Sequence, residues 1–258
     1  PSGVFTFIDG GISLSGRYRY VSGAGHAEWF LLAGVESGES RLVRLAAVPA
    51  DDVSLSDDWD VMALKGTGSV DVSLEEVFVP DHLIADPMAS PERGGPMYTV
   101  GYQAYVAGEN LGFSLGVCQR LLDEITRYAN AKVRGNDGRL ADRGAFQYEL
   151  GKTQLEVEAA KAFGLSELQT ADDRCTSNNG LSSAEEQKVV ATLAFCTESA
   201  VNAVSHLYHF AGAGAIFNSS VLQRCFRDAH GSVMHHVVSN IAYDKYGNSL
   251  LAADQSAE

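Results

Sequence analysis

The stretch RYRYVSGAGHAEWFLLAG, Arg17–Gly34, sets a small-residue loop, Ser22-Gly23-Ala24-Gly25, between two apolar runs. A glycine-rich loop after a strand often cradles a phosphate, but a dinucleotide fingerprint needs its glycines to open a helix inside a βαβ unit. Here the glycines lead into EWFLLAG, which is too short and too apolar for a crossover helix. The loop therefore reads as a tight turn or bulge that lets another group approach the main chain closely.

Outward from this loop, residues 1–86 are strand-like. VFTFI, GISLSG, RYRYV, WFLLAGV, RLVRLAAV, GSVDVSL and VFVP alternate or run apolar between Gly, Ser and Asp turns, the pattern of half-buried strands. Ile8-Asp9-Gly10-Gly11 reads as a hairpin turn. Ala85–Met97 holds three of the six prolines and reads as a linker. From Tyr98 onward apolar residues recur every three or four positions, a helical period. Long helices are predicted over Tyr105–Lys132, Arg143–Asp173 and Glu185–Gly212, with a final helical segment over Ser220–Asn240. Ser183 and Glu186 fit a capping box after the SNNGLSS loop. The expected organisation is α+β: a small antiparallel, barrel-like β-domain over 1–88, a linker over 89–97 and a C-terminal four-helix bundle over 98–258.

Composition narrows the function classes. With 33 acidic and 19 basic residues the net charge is −14, a surface that repels nucleic-acid backbones. No apolar run approaches the roughly 20 residues that cross a membrane, and no secretory signal pattern is present. Cys118, Cys175, Cys196 and Cys225 are far apart and form no CxxC pair. They read as reduced, buried thiols of a cytoplasmic protein.

Four blocks carry a family resemblance: DGGISLSGRYRYVSGAGHAEWFLLAG, WDVMALKGTGSVDVSLEEVFVP, GFSLGVCQRLLDEITRYANAK and HFAGAGAIFNSSVLQRCFRDAH. In this order and spacing the chain resembles the acyl-CoA dehydrogenase fold superfamily. It is most similar to the monooxygenase branch, the oxygenase components of two-component flavin-dependent hydroxylases of the 4-hydroxyphenylacetate hydroxylase kind. The family's N-terminal helical domain has no counterpart in these blocks. An apolar face left without it predicts self-association, and the resemblance implies a homotetramer packed through the C-terminal helices.

The two branches differ in their chemistry. Dehydrogenases of the family need a carboxylate base, often just after the glycine-rich turn, where this sequence has Ser219. From His209 to Gln223 there is no Asp or Glu, and a serine hydroxyl is too weak a base for α-proton abstraction. Other relatives carry the base on an earlier helix, so an acyl-thioester dehydrogenase stays open as an alternative, as does a non-catalytic assembly subunit. The HGSVMHH segment fits the monooxygenase branch better. That branch implies reduced flavin (FMN or FAD) delivered by a separate reductase, reaction with O2 to a C4a-(hydro)peroxyflavin, and oxygen transfer to a small, aromatic substrate. The protein supplies orientation and water exclusion.

The resemblance assigns candidate residues, each with a plainer alternative. Ser22 matches the hydroxyl near flavin N5, or is a turn serine bonding its own backbone. Gly23 beside it lets the ring approach. Tyr20, two residues back on the same strand face, matches the aromatic flanking the ring, or is a core tyrosine. Lys65, Thr67 and Ser69 in LKGTGSVDV bind flavin or its phosphate, or form a structural bulge. His235 falls on the family's histidine near flavin and substrate, with His236 as the one-residue slip, and the alternative is an ordinary helical histidine. His209 and Lys132 fall where relatives have a glutamine and an arginine reaching a neighbouring subunit's cofactor. His26 reads as a surface or packing residue and Arg227-Asp228 as a structural pair. His206, His209, His230 and His235 lack an acidic or cysteine companion at ligand spacing, so no metal site is expected.

Overall fold

A computed structural model describes residues 2–89, 93–133, 135, 138–178 and 180–255. Residues 90–92 of the expected linker, Asn179 of the SNNGLSS loop and residues 256–258 lie outside the described residues. The chain divides into two units, Pro1–Ser90 and Pro91–Glu258.

In the first unit, alternation builds one seven-stranded sheet. Its strands are β1 (Gly3–Ile8), β2 (Gly11–Val21), β3 (Trp29–Glu36), β4 (Val43–Pro49), β5 (Ser54–Leu55), β6 (Val70–Pro80) and β7 (Ile84–Ala85). The spatial order is β5-β6-β2-β1-β3-β4-β7. The hairpin turn falls where the sequence places it, with Ile8 opposite Gly11 and Gly10 at φ +77°. Neighbours are antiparallel except β1 and β3, which are parallel with Gly3 opposite Gly34. The wholly antiparallel expectation is corrected at this one pair. β3 follows the reversed β2 and so regains the direction of β1; placed on the other edge of β1, it pairs in parallel. Phe5, Ile12, Leu14, Phe30, Leu32, Val48, Val72 and Val79 form the core of this unit.

In the second unit the described helices are α1 (Tyr102–Ala131), α2 (Gly144–Asn178), α3 (Ser183–Tyr208), α4 (Val221–Ser232) and α5 (Ile241–Gln255). On α1 the buried residues Ala104, Ala107, Leu111, Ser114, Cys118, Leu121 and Ile125 keep the three-and-four spacing that lines one face. α3 is buried over most of Val189–Leu207, leaving one exposed stripe at Phe195, Glu198, Asn202 and His206, as expected of a helix packed on several neighbours.

Several boundaries move. The capping box is Ser182 with Glu185, one residue earlier than the sequence pattern suggests: Glu185 N donates to Ser182 Oγ and Ser182 N to Glu185 Oε2. α3 ends at Tyr208 and passes into a 3-10 stretch, His209–Ile216, broken at Gly212, whose φ is +65° and ψ −162°. The final helical segment stops at Ser232. There the Ser232 carbonyl accepts from Asn110 Nδ2 of α1 at 3.0 Å and from His235 N at 3.4 Å, a three-residue closure that ends the helix. α5 is a further helix beyond the segment the sequence predicts; Tyr243 donates to Glu198 Oε2 of α3 at 2.8 Å and ties it down. The four cysteines are free and buried, and burial pushes the Cys118 thiol up to about 12. Among the described residues no helix is long and apolar enough to cross a membrane.

Candidate functional site

The opening loop is assembled from two distant segments of the β-unit. β2 bulges between Tyr18 and Val21, with Tyr20 at φ +65°. The next residue but two, Gly23, sits at φ +78° and donates its N–H to the Thr67 carbonyl at 2.8 Å. This joins the Ser22–Gly25 loop to the Lys65–Thr67 3-10 turn. Across the joint Ser22 Oγ lies 2.7 Å from Ser69 Oγ, and Ser69 Oγ lies 2.6 Å from Thr67 Oγ1. Thr67 Oγ1 donates to the Leu64 carbonyl at 2.9 Å, which also accepts from Trp59 Nε1 at 3.3 Å. Three of the sequence candidates, Ser22, Thr67 and Ser69, thus form one hydroxyl chain that runs from exposed Ser22 to Ser69, only 5% exposed.

Two readings change. The bulge adds a residue between Tyr18 and Val21, so Tyr20 and Ser22 do not share a strand face by simple alternation. Tyr20 is no core tyrosine: it is 65% exposed, with the Arg19 guanidinium 5.3 Å from its ring centroid. Lys65 is exposed on the turn. Nearby, buried Asp71 is held by Arg17 at 2.8 Å and Arg19 at 3.8 Å, a charged anchor that the sequence did not single out.

A planar heteroaromatic group fits this loop. A Cβ added at Gly23, Gly25 or Gly66 would meet nothing within 4 Å, so the main chain is bare there. An exposed hydroxyl at Ser22 and an exposed aromatic at Tyr20 stand beside it. Flavin presents a flat face and a polar edge, which is what this surface accommodates.

The imidazole pair lies in the helical unit, outside any helix longer than a turn. His235 is extended at φ −70°, ψ 133°, capping a 3-10 turn, His236–Val238; the expected helical placement is corrected because α4 closes at Ser232 with three-residue turns, His235 N donating to the Ser232 carbonyl at 3.4 Å. Val237 N approaches His235 Nδ1 at 3.5 Å, a long contact. Partial burial and the neighbouring His236, its ring 4.9 Å away, hold His235 below the ordinary imidazole range. His236, which the sequence ranked second, lines a cavity of about 200 Å³ with Gln103, Gln187 and Lys245. These partners come from other helices, and no local spacing in the sequence reveals them.

Lys132 and His209 fall in a third place. Lys132 Nζ lies 5.8 Å from the Tyr128 ring, and Tyr128 Oη donates to the Ala211 carbonyl at 2.9 Å, on the turn that His209 begins. Both candidates are exposed. Among the described residues no three His, Cys, Asp or Glu side chains gather as metal ligands.

His230 is also held below its ordinary 6.5 by burial, with Ser205 Oγ 2.8 Å from its Nε2. For both histidines the unfolded chain takes up protons more readily than the folded one. Their contribution to stability is therefore present above about pH 6.5 and lost as the pH falls below it. The melting temperature is expected to be flat near neutrality and to drop on acidification, with a shallower drop between about pH 6.5 and 5 in His230→Gln. Thermal melts across that window check this, and an identical slope in the variant would refute it.

The acyl-CoA dehydrogenase, C-terminal domain family matches residues 112–240. A pigment production hydroxylase of Rhodococcus erythropolis is 23% identical over 270 residues, covering 98% of this chain and 69% of that protein. The p-hydroxyphenylacetate 3-hydroxylase oxygenase component of Acinetobacter baumannii is 28% identical over 254 residues, covering 91% of this chain but 58% of its own length. XiaF from Streptomyces sp., solved in complex with FADH2 and glycerol, superposes with a TM-score of 0.88 at 23% identity, covering 98% of this chain and 67% of that one. The chain thus spans between 58% and 69% of the lengths of these proteins. With half its residues matched and the fold shared throughout, the chain belongs to the acyl-CoA dehydrogenase C-terminal domain family.

Proposed function

We propose that this chain acts in the oxygenase component of a two-component flavin-dependent monooxygenase that hydroxylates a small aromatic substrate. The observation that carries the reading is the Ser22 hydroxyl standing exposed on main chain that Gly23 and Gly66 leave bare. It is supported by relatives that are named hydroxylases and oxygenase components, and by a fold neighbour solved with FADH2. Reduced flavin, when bound, would supply the two electrons that activate O2, one oxygen atom going to the substrate and the other leaving as water. A separate flavin reductase supplies the reduced flavin.

The chain's own residues do the rest. Gly23 admits the ring, Ser22 meets its polar edge, and Tyr20 flanks it. Lys65 adds a positive charge on the same turn. In a homotetramer, Lys132 and His209 reach the cofactor of a neighbouring subunit. His235 stands at the phenolic oxygen and takes its proton, leaving the electron-rich ring that the electrophilic oxygen attacks. His236 tunes that imidazole. The protein works in the cytoplasm, where the reductase and free flavin meet it.

Chemically reduced FMN or FAD, a simple phenol and labelled oxygen gas are expected to give a hydroxylated product carrying label from the gas. Label from water alone overturns the reading. Reduction of flavin by an acyl thioester without reductase is the outcome that the dehydrogenase alternative requires. A chain that binds no flavin in either redox state is what an assembly subunit requires.

A further inference from the structure

We infer that Asn110 and Ser114 of α1 are positioning residues for His235: through Ser232 they fix where α4 closes, and with it where the imidazole stands. Their part in the reaction rests on the reading that His235 meets the phenolic oxygen.

His235 lies in the link between α4 and α5, residues 233–240, where no α-helix sets its direction. The contact of its ring with Val237 N, at 3.5 Å, is too long to fix it. The direction of the side chain is therefore set by the main chain, which is held at two points. Downstream, Val237 and Val238 are buried in the apolar cluster of the helical unit. Upstream, the Ser232 carbonyl accepts from His235 N at 3.4 Å and from Asn110 Nδ2 at 3.0 Å. One oxygen thus ties the main chain of His235 to α1.

The tie sits on polar groups that packing alone does not require. Ser114 is 0% and Ser232 2% exposed, and their hydroxyl oxygens lie 2.8 Å apart. Ser114 Oγ is also 2.8 Å from the Asn110 carbonyl, and Ser232 Oγ donates to the Ala229 carbonyl at 2.7 Å. Leu111, Cys118, Cys225 and Ala229 belong to the apolar cluster around them. Two alanines would fill nearly the same space, and exchanging both partners of a buried hydrogen bond for apolar groups costs little stability. Alanine cannot supply register. An apolar seam lets one helix slide along another, whereas a satisfied buried polar contact holds at a single setting. α4 is gripped near the same end from α3, where Ser205 Oγ lies 2.8 Å from His230 Nε2. Its last turn is thus held from two sides, just ahead of His235.

The test is NMR titration of the histidine rings in the full chain, with His235 assigned as the signal missing from His235→Leu. Burial and the neighbouring His236 hold the wild-type ring below the ordinary 6.5. Asn110→Leu keeps the branched shape of asparagine without its donor. Its His235 ring is expected to swing towards solvent and titrate closer to 6.5. With supplied reduced FMN and a phenol, the same variant is expected to lose about tenfold or more in kcat, with the dissociation constant for reduced FMN unchanged. Ser114→Ala carries the same expectations and decides the matter if Asn110→Leu does not fold. Leu193→Ala, which loosens the core elsewhere, is expected to melt earlier yet keep the wild-type His235 titration. A titration unmoved in both α1 variants overturns the inference, as does an equal movement in Leu193→Ala. A ring that responds in a chain that hydroxylates no phenol overturns the proposed function and leaves the positioning of the ring intact.

Discussion

Replacing His235 with leucine is expected to lower the rate of phenol hydroxylation by about a hundredfold or more, the usual consequence of losing a positioned general base. That corresponds to about 2.7 kcal/mol of transition-state stabilisation. Removing the phenolic proton gives the ring the electron density that oxygen transfer draws on. His235→Gln keeps an N–H donor but no base, and is expected to recover little of the loss. His236→Asn tests the coupling between the rings. His236 pushes the His235 pKa down, so its removal shifts the pH–rate profile to higher pH and leaves the maximal rate largely in place. Stopped-flow product formation with supplied reduced flavin measures all three. A His235→Leu enzyme within threefold of wild type would remove His235 from the reaction.

The second large effect concerns stability. Leu193→Ala is expected to cost about 2–5 kcal/mol, lowering the melting temperature by roughly 5–15 °C. Leu193 is 0% exposed near the middle of α3, within the cluster that also holds Leu111, Leu121 and Val204. Leu193 faces away from the exposed stripe of α3 and is enclosed by that cluster, so its neighbours cannot collapse into the space that the lost methyls leave. Leu165→Ala, on α2 at 52% exposure, serves as the control and is expected to change stability by at most about half a kcal/mol. Chemical denaturation of the two variants decides the matter. Equal losses would mean that α3 is not the centre of the unit.

Much of the fold was legible because its signals are local. The change from a two-residue to a three-and-four-residue period marks the passage from strands to helices, and Asp9-Gly10 marks the first hairpin. What escaped depends on contacts between distant residues. Ser182-Ser183-Ala184-Glu185-Glu186 satisfies the capping pattern in two registers, and only packing of the helix behind it selects the first. Nothing within Ser220–Asn240 says that the helix will close at Ser232, whose carbonyl meets Asn110 from more than a hundred positions earlier, and leave His235 outside it. The bulge at Tyr18–Val21 shifts an alternation count by one residue without any proline or glycine to announce it. The site shows the same division. Ser22, Thr67 and Ser69 were each visible as hydroxyls beside glycines, yet their union into one chain of hydroxyls requires the fold to bring together Ser22 and Ser69, 47 positions apart in sequence.

The sheet ends on β5 and β7, each only two residues long. Beyond those stubs the outer rims of β6 and β4 expose main-chain donors and acceptors that another polypeptide can in principle copy. Several features blunt that recruitment. Pro49 and Pro80 lack the N–H a new strand would seek, Glu75 and Glu76 place adjacent charges on β6, and Glu76 at φ +50° bends the rim out of line. Subunits of this protein that gather therefore do so through side-chain surfaces, and runaway edge-to-edge polymerisation is disfavoured by the shape of its borders.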